Sequence, residues 1–292
     1  MRIGSEAHLQ LLCREFIGTH RPFEPATLPW PDLDADAVAK LRSLPFWDEA
    51  IRTERRTGAK VTAYAELESP AILREAVALQ GYEETRHAAL LDTLVRRYAV
   101  DVDPGPEQPL PPNLEAAFMR TGYGECIDSF FAFGMVALAR DVEFLPHALL
   151  DVLEPIVQEE VRHILFLVNW VAYKQRQRPL WQQPLYRLRC FASFAGAAFD
   201  RARSAGNVAG NVERGASKDG FTASGAGAIA GDFSVRAFVA RCLEENTRRF
   251  SAYAPELLRP RFVPAMARAF VSVTAFPERL TPSRADSPVV RG

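Results

Sequence analysis

Cysteine is scarce and scattered. Cys13, Cys126, Cys190 and Cys242 are the only four, and no two of them form a Cys-x-x-Cys pair. That spacing excludes a zinc knot, an iron–sulfur cluster and a disulfide framework, and predicts reduced, mostly buried thiols. No stretch of about 18 uninterrupted apolar residues occurs, so no membrane partner is predicted. The amino terminus, MRIGSEAHLQLLCREF, is charged throughout and lacks an apolar run of signal-peptide length, so the expected location is cytoplasmic. Neither sign of charge is in excess: 35 basic and 36 acidic residues leave a formal charge of −1, which argues against nucleic acid as a partner. Local basic runs at Arg52, Arg55 and Arg56, and at Arg176 and Arg178, lie in helical stretches and read as solvated faces. Strand-like alternation is also missing, which points to an all-α fold.

What remains is a chain of 292 residues, 48% hydrophobic, long enough for a sizeable core. Residues 1–44 hold a short amphipathic stretch followed by the proline-rich RPFEPATLPWPDLDAD, read as an arm wrapped on the surface that serves packing rather than chemistry. From Pro45 the texture becomes helical. Ser69-Pro70 fits an N-cap followed by proline at the first helical position, dividing a helix near 45–67 from one near 70–98. A proline-rich crossover at 101–113 follows. Asn113 is placed to cap a third helix that runs to Pro146, and a fourth spans about 148–175. Two helical hairpins joined by a longer crossover are the layout of a four-helix bundle. Further helices are expected at 181–210, 233–255 and 260–275, so that 176–280 packs additional helices on the bundle. The stretch 215–231 reads as a small-residue loop, its Gly225-x-Gly227 too isolated from any strand to hold a nucleotide. Residues 281–292 read as a disordered tail.

Chemistry concentrates in two repeats of Glu-Glu-x-Arg-His, at 83–87 and 159–163. Glu84 with His87, and Glu160 with His163, stand three residues apart, one turn along a single helix face, so each pair can grip one metal ion. A two-metal site needs one more carboxylate from each of the other two helices. Hard oxygens with one imidazole per ion suit iron, or alternatively manganese, better than zinc. Residues equidistant from an antiparallel turn share a level. That places Glu54 opposite Glu84, ahead of Glu49 and Glu66. In the second hairpin the same construction points near residue 132, where Asp128 and Glu125 are the nearest carboxylates and Asp128 fits the height better. Charged groups in the middle of apolar helices are costly without a cation to balance them. In the C-terminal region, Glu244, Glu245 and Arg249 read as pairs along one helix.

Over about residues 45–175 these motifs resemble the di-iron carboxylate proteins of the ferritin-like superfamily, which include rubrerythrins, ribonucleotide reductase small subunits and bacterial multicomponent monooxygenase hydroxylases. In the monooxygenase branch each motif reads Asp-Glu-x-Arg-His, and its leading acid backs the ligand imidazoles, a role the resemblance extends to Glu83 and Glu159. Gly124-Glu125-Cys126 followed by Phe130-Phe131 resembles the start of that branch's third-helix site. On this ground Glu125 is preferred as ligand, with Asp128 its rival, and Ser129, one turn on, inherits the place of a proton relay. Leu91 stands where the reductases carry a radical tyrosine, so a stored tyrosyl radical is not implied. Ile156 stands where related N-oxygenases carry a third histidine, so that activity is not specifically implied.

The expected function is therefore a di-iron oxidoreductase that activates O2 to hydroxylate, desaturate or N-oxygenate a small organic molecule. Glu54, Glu84, His87, Glu125, Glu160 and His163 would hold two iron ions, and Ile127, Phe130, Phe131 and Phe133 would form an apolar wall for the substrate. With no flavin or nicotinamide fold in the chain, a reductase or ferredoxin is the expected electron donor, and a homodimer is an allowed assembly. The alternative is a ferritin-like iron-binding, ferroxidase or peroxide-scavenging protein without organic substrate. A scaffold whose metal is structural or absent is the third reading.

Overall fold

A computed structural model describes residues 1–103, 105–212 and 234–274. Among them are nine α-helices, two short 3-10 turns and no strand. The helices are α1 (Glu6–Gly18), α2 (Ala35–Ser43), α3 (Trp47–Ala65), α4 (Ala71–Arg97), α5 (Leu114–Asp141), α6 (His147–Gln177), α7 (Gln183–Val212), α8 (Val235–Phe250) and α9 (Phe262–Thr274). The stretch 215–231 and the tail at 281–292 lie outside the described residues. No described helix is long and apolar enough to cross a membrane.

Local chemistry sets the helix starts. Ser5, Asp34 and Asn113 each accept a backbone N–H from the first turn of α1, α2 and α5, the usual way to satisfy an orphaned donor. Ser69 does not cap α4. Pro70 occupies that position in extended conformation after a cis Ser69-Pro70 bond, and α4 begins at Ala71. α3 and α4 pack along their length, and glycine lets them approach closely. A Cβ on Gly81 would stand 2.8 Å from the Thr62 nitrogen and one on Gly58 3.1 Å from that of Thr85, so the two backbones nearly touch at two levels.

α3, α4, α5 and α6 pack together, and their apolar side chains make one core with α1. Phe16, Val61, Leu73, Phe118, Phe133, Phe166 and Trp170 meet there. A second cluster, with Leu41, Trp47, Ile51, Leu94 and Leu149, closes the end near the α5–α6 turn. A third fills the outer face of α5 with Phe130, Leu138, Phe238 and Cys242, against α8 and α9. α5 is therefore buried on several sides, which is why its apolar residues lie all round the helix. All four cysteines are free and buried.

The proline-rich stretch 21–36 lies mostly at the surface, with only Pro25 buried, but the amphipathic stretch before it does not. Leu9, Leu12, Cys13 and Phe16 of α1 are core residues, and α1 lies against α4 and α6. Only a helix with an apolar face of that width could be drawn inside, and the proline-rich stretch after it carries the chain to α2.

Candidate metal centre

Six side chains from four helices converge in the middle of this core. Ligand atoms of Glu54, Glu84, His87 and Glu160 lie within 4.8 Å of one another, as do those of Glu84, Glu125 and His163. Glu84 belongs to both groups, so the two are adjacent, and the His87 and His163 rings stand 5.6 Å apart. His87 Nδ1 faces Glu160 at 3.4 Å, Glu54 at 3.5 Å and Glu84 at 3.9 Å. His163 Nδ1 faces Glu84 at 3.0 Å and Glu160 at 3.6 Å.

These approaches are close without being hydrogen bonds. Nδ1 of His87, Nδ1 of His163 and both oxygens of Glu125 are buried and make none. Buried polar atoms are nearly always bonded, and leaving one unpaired costs about 1–3 kcal/mol. Six donor groups aimed at common points, with several of their atoms unbonded, fit a pair of cations better than they fit one another. The donor set of four carboxylates and two imidazoles is one that iron or manganese accepts.

Behind the imidazoles the two motifs are laced together crosswise. His87 Nε2 meets Glu159 at 2.9 Å, and His163 Nε2 meets Glu83 at 2.9 Å. Each imidazole therefore donates through Nε2 to the leading acid of the other motif, which directs the Nδ1 lone pair to the centre. The acids are held in turn. Arg162 donates to Glu83 at 2.7 Å, His20 lies 2.5 Å from the same carboxylate, and Arg86 pairs with Glu159. His20, Glu83 and Glu159 form a further group within reach of a cation, but the two guanidinium groups already balance it. α1 completes the lattice, since Arg162 also donates to the Thr19 hydroxyl at 3.0 Å and to the Phe16 carbonyl at 2.5 Å. The segment read as packing alone thus supplies His20, Thr19 and Phe16 to the support of the site. Its only sequence signal was that His20 is one of five histidines.

The electrostatics follow from this crowding. Burial pushes the Glu54 carboxyl up to about 8, the nearby charges of Glu84 and Glu160 adding to it and His87 opposing. Burial likewise drives Glu125 well above its ordinary range, reinforced by Glu84 and Glu160. Burial alone would lower His87 and His163, but the carboxylates around them win and hold both well above the ordinary imidazole range. The carboxylates that hold the two imidazoles protonated would attract a divalent cation for the same reason, and a bound metal displaces the protons.

The two rival carboxylates of α5 separate cleanly. Asp128 turns to α7, where Arg201 donates to it at 2.6 and 3.0 Å. Glu125 turns inward beside Glu84 and His163. Height along the hairpin favoured Asp128, which faces Arg201 instead, because rotation of α5 about its axis decides which side chain faces inward. Gly124 matters here, since a Cβ at that position would stand 2.1 Å from the Arg201 guanidinium. Ser129 donates from Oγ to Glu160 at 3.2 Å.

A cavity of about 940 Å³ opens on the Glu54, Glu84, Glu125 and Glu160 side of the centre. Of the four residues expected as its wall, only Phe133 lines it. Phe130 and Phe131 face α8, Phe131 stacking on Phe238 at 6.3 Å, and Ile127 is not part of the wall. The burial of α5 on two opposite faces explains the error, since aromatic residues on such a helix divide between them. The actual wall is made by Phe46, Trp47, Leu91, Val136, Leu150 and Ile156, together with Phe133. Arg56, read as part of a solvated face, also lines it, whereas Arg52 and Arg55 pair with Glu49 and Asp92. Along α8, Glu245 pairs with Arg248 and Arg249, and Arg249 reaches on to Glu154 of α6 at 2.6 Å.

Compared with protein-family models, with curated proteins and with solved structures, the chain matches none. The functional reading rests on the residues themselves.

Proposed function

We propose that this chain is a ferritin-like di-iron carboxylate protein that activates O2 to oxidise an organic substrate. One observation carries the reading. Four carboxylates and two imidazoles converge with unbonded donor atoms, and they do so on the wall of a large, mostly apolar cavity. Pockets of this size and lining are typical of small-molecule sites. A storage or peroxide-scavenging role does not account for such a cavity, which places that alternative second.

Two iron ions, when bound, would supply the redox chemistry. His87 with Glu54, Glu84 and Glu160 would hold one, and His163 with Glu84 and Glu125 the other. Glu83 and Glu159 keep the imidazoles oriented and the Nε2 protons in place, while Arg162 and Arg86 balance the acids in a region closed to water. Ser129, hydrogen-bonded to Glu160 at the cavity wall, is placed to hold a proton beside the reacting space. Phe133, Leu91 and Leu150 exclude water there and receive the apolar part of the substrate. Insertion of one oxygen atom into a C–H or N–H bond, with the other leaving as water, consumes two electrons and two protons from outside the chain. A reductase or ferredoxin is the expected donor.

Anaerobic loading with ferrous iron followed by a pulse of O2 tests the reading. Uptake of close to two iron ions per chain and a transient absorbing species, resolved by Mössbauer spectroscopy as a coupled pair, is the expected result. Steady accumulation of a ferric mineral would favour storage instead. Uptake of less than one ion with excess metal supplied would end the di-metal reading.

A further inference from the structure

The cavity is polar at one end and apolar at the other, and the metal-binding carboxylates stand between. Phe46, Trp47, Leu145 and Leu150 close the apolar end. At the other end are Arg56 and Lys60 from α3, Arg120 from α5 and Arg201 from α7. Two of these cations are satisfied: Arg201 pairs with Asp128 and Arg120 with Asp200, each at 2.6 Å. Arg56 and Lys60, one turn apart on the same face of α3, are both half-buried, and among the described residues neither makes an ion pair or hydrogen bond. Burial pushes the Lys60 ammonium below its ordinary range, Arg56 adding to the effect, Glu125 opposing it and Arg201 and Arg120 reinforcing it.

The charges on the wall can be balanced in turn. Glu49 is taken by Arg52, Asp128 and Asp200 by their arginines, and Glu54, Glu84, Glu125 and Glu160 by the two metal ions. What is left over is positive and lies on Arg56 and Lys60. Cations of this kind, partly withdrawn from water and without a protein partner, are stabilised by an anion that enters with the ligand.

We propose that the cavity takes an amphipathic organic acid, its carboxylate held by Arg56 and Lys60 and its apolar body running past Glu54 and Glu125 toward Trp47 and Leu150. The inference rests on the reading of the cavity as a substrate pocket beside two metal ions. Arg56 and Lys60 lie two and six residues beyond Glu54 along α3, about 3 and 9 Å of helix, so the acid group binds on one side of Glu54 and the apolar body extends to the other.

The test uses the full chain loaded with Mn(II), a divalent ion that the same donor set accepts, and isothermal titration calorimetry. Decanoate is compared with decan-1-ol, of equal chain length and no charge, and biphenyl-4-carboxylate serves as a rigid aromatic acid. At least one of the acids binds roughly tenfold or more tightly than the alcohol, as expected for charged hydrogen bonds in a half-buried site. The Arg56→Met/Lys60→Met double variant keeps both apolar stems, removes no ion pair, and loses the preference for acid while decanol binds as before. Arg55→Met, whose parent side chain pairs with Asp92 outside the cavity, keeps the preference. Equal binding of acid and alcohol by the unaltered chain, survival of the preference in the double variant, or failure of both acids to bind overturns the proposal. Manganese stoichiometry in the same samples separates the two readings. Two ions bound without acid preference removes only the anion site, whereas less than one ion removes the metal centre.

Discussion

The α4–α6 wall of the centre and the α3–α5 wall differ in how their ligands are held. On α4 and α6 each imidazole is tied from behind by a glutamate, each glutamate by an arginine, and one arginine by α1. On α3 and α5 single carboxylates face the cavity. Among the described residues Glu125 makes no hydrogen bond, and the ion-pair contact of Glu54 is with His87, at 3.5 Å. A laced wall fixes ligand positions before metal arrives, while carboxylates with free oxygens can change the way they bind as a reaction proceeds. Under the proposed function, the laced side would hold the metal ligands in place and the carboxylates of the other side would be the ones free to shift.

Variants of the two walls should therefore behave differently. The largest effect is expected for His87→Ala and His163→Ala on the laced wall. Each loses metal and activity by more than the ~10–100-fold typical of residues that only support a ligand, while circular dichroism stays helical because the apolar stripes of four helices remain. Global unfolding of either variant would mean that the metal is structural.

Glu83→Ala comes next, since it strands Arg162 and His163 in the interior. A buried charge without its partner costs about 3–5 kcal/mol, read as a lowered urea midpoint, and metal affinity falls as well. A loss under about 1 kcal/mol would show that the lacing is not tight.

Glu125→Ala on the open wall separates stability from binding. Removing a buried, unbonded carboxylate should raise the stability of the metal-free chain by about 1–3 kcal/mol, yet leave it binding closer to one metal ion than two. The metal-free chain should also lose stability as pH rises from about 4.5 to about 8. Glu54 holds its proton in the folded state up to about 8 against an ordinary 4.5, so stability is full below the lower value and lost through the upper one. Glu54→Gln should flatten that slope in chemical denaturation, and an unchanged slope would place the titration elsewhere.

Asp128→Asn is the smallest. Its ion pair with Arg201 is about a third exposed on each side, worth ~1 kcal/mol or less, and two metal ions per chain should still bind. Loss of one ion in this variant would move the ligand role from Glu125 to Asp128 and redraw the open wall.

The repeated Glu-Glu-x-Arg-His and its spacing were enough to bring Glu84, His87, Glu160 and His163 to one face of each helix, because that depends only on the turn of the helix itself. Helix content, the Asn113 cap and the buried thiols were legible for the same local reason. Tertiary structure decided the rest. The rotation of α5, fixed by burial against α7 and α8 as well as the core, chose between Glu125 and Asp128 and sent Phe130 and Phe131 away from the cavity. The docking of α1 drew His20 and Thr19 to the back of the imidazoles, across more than sixty residues of chain to Glu83. Such choices turn on which faces of several helices meet, and a face has no partner until the others are in place.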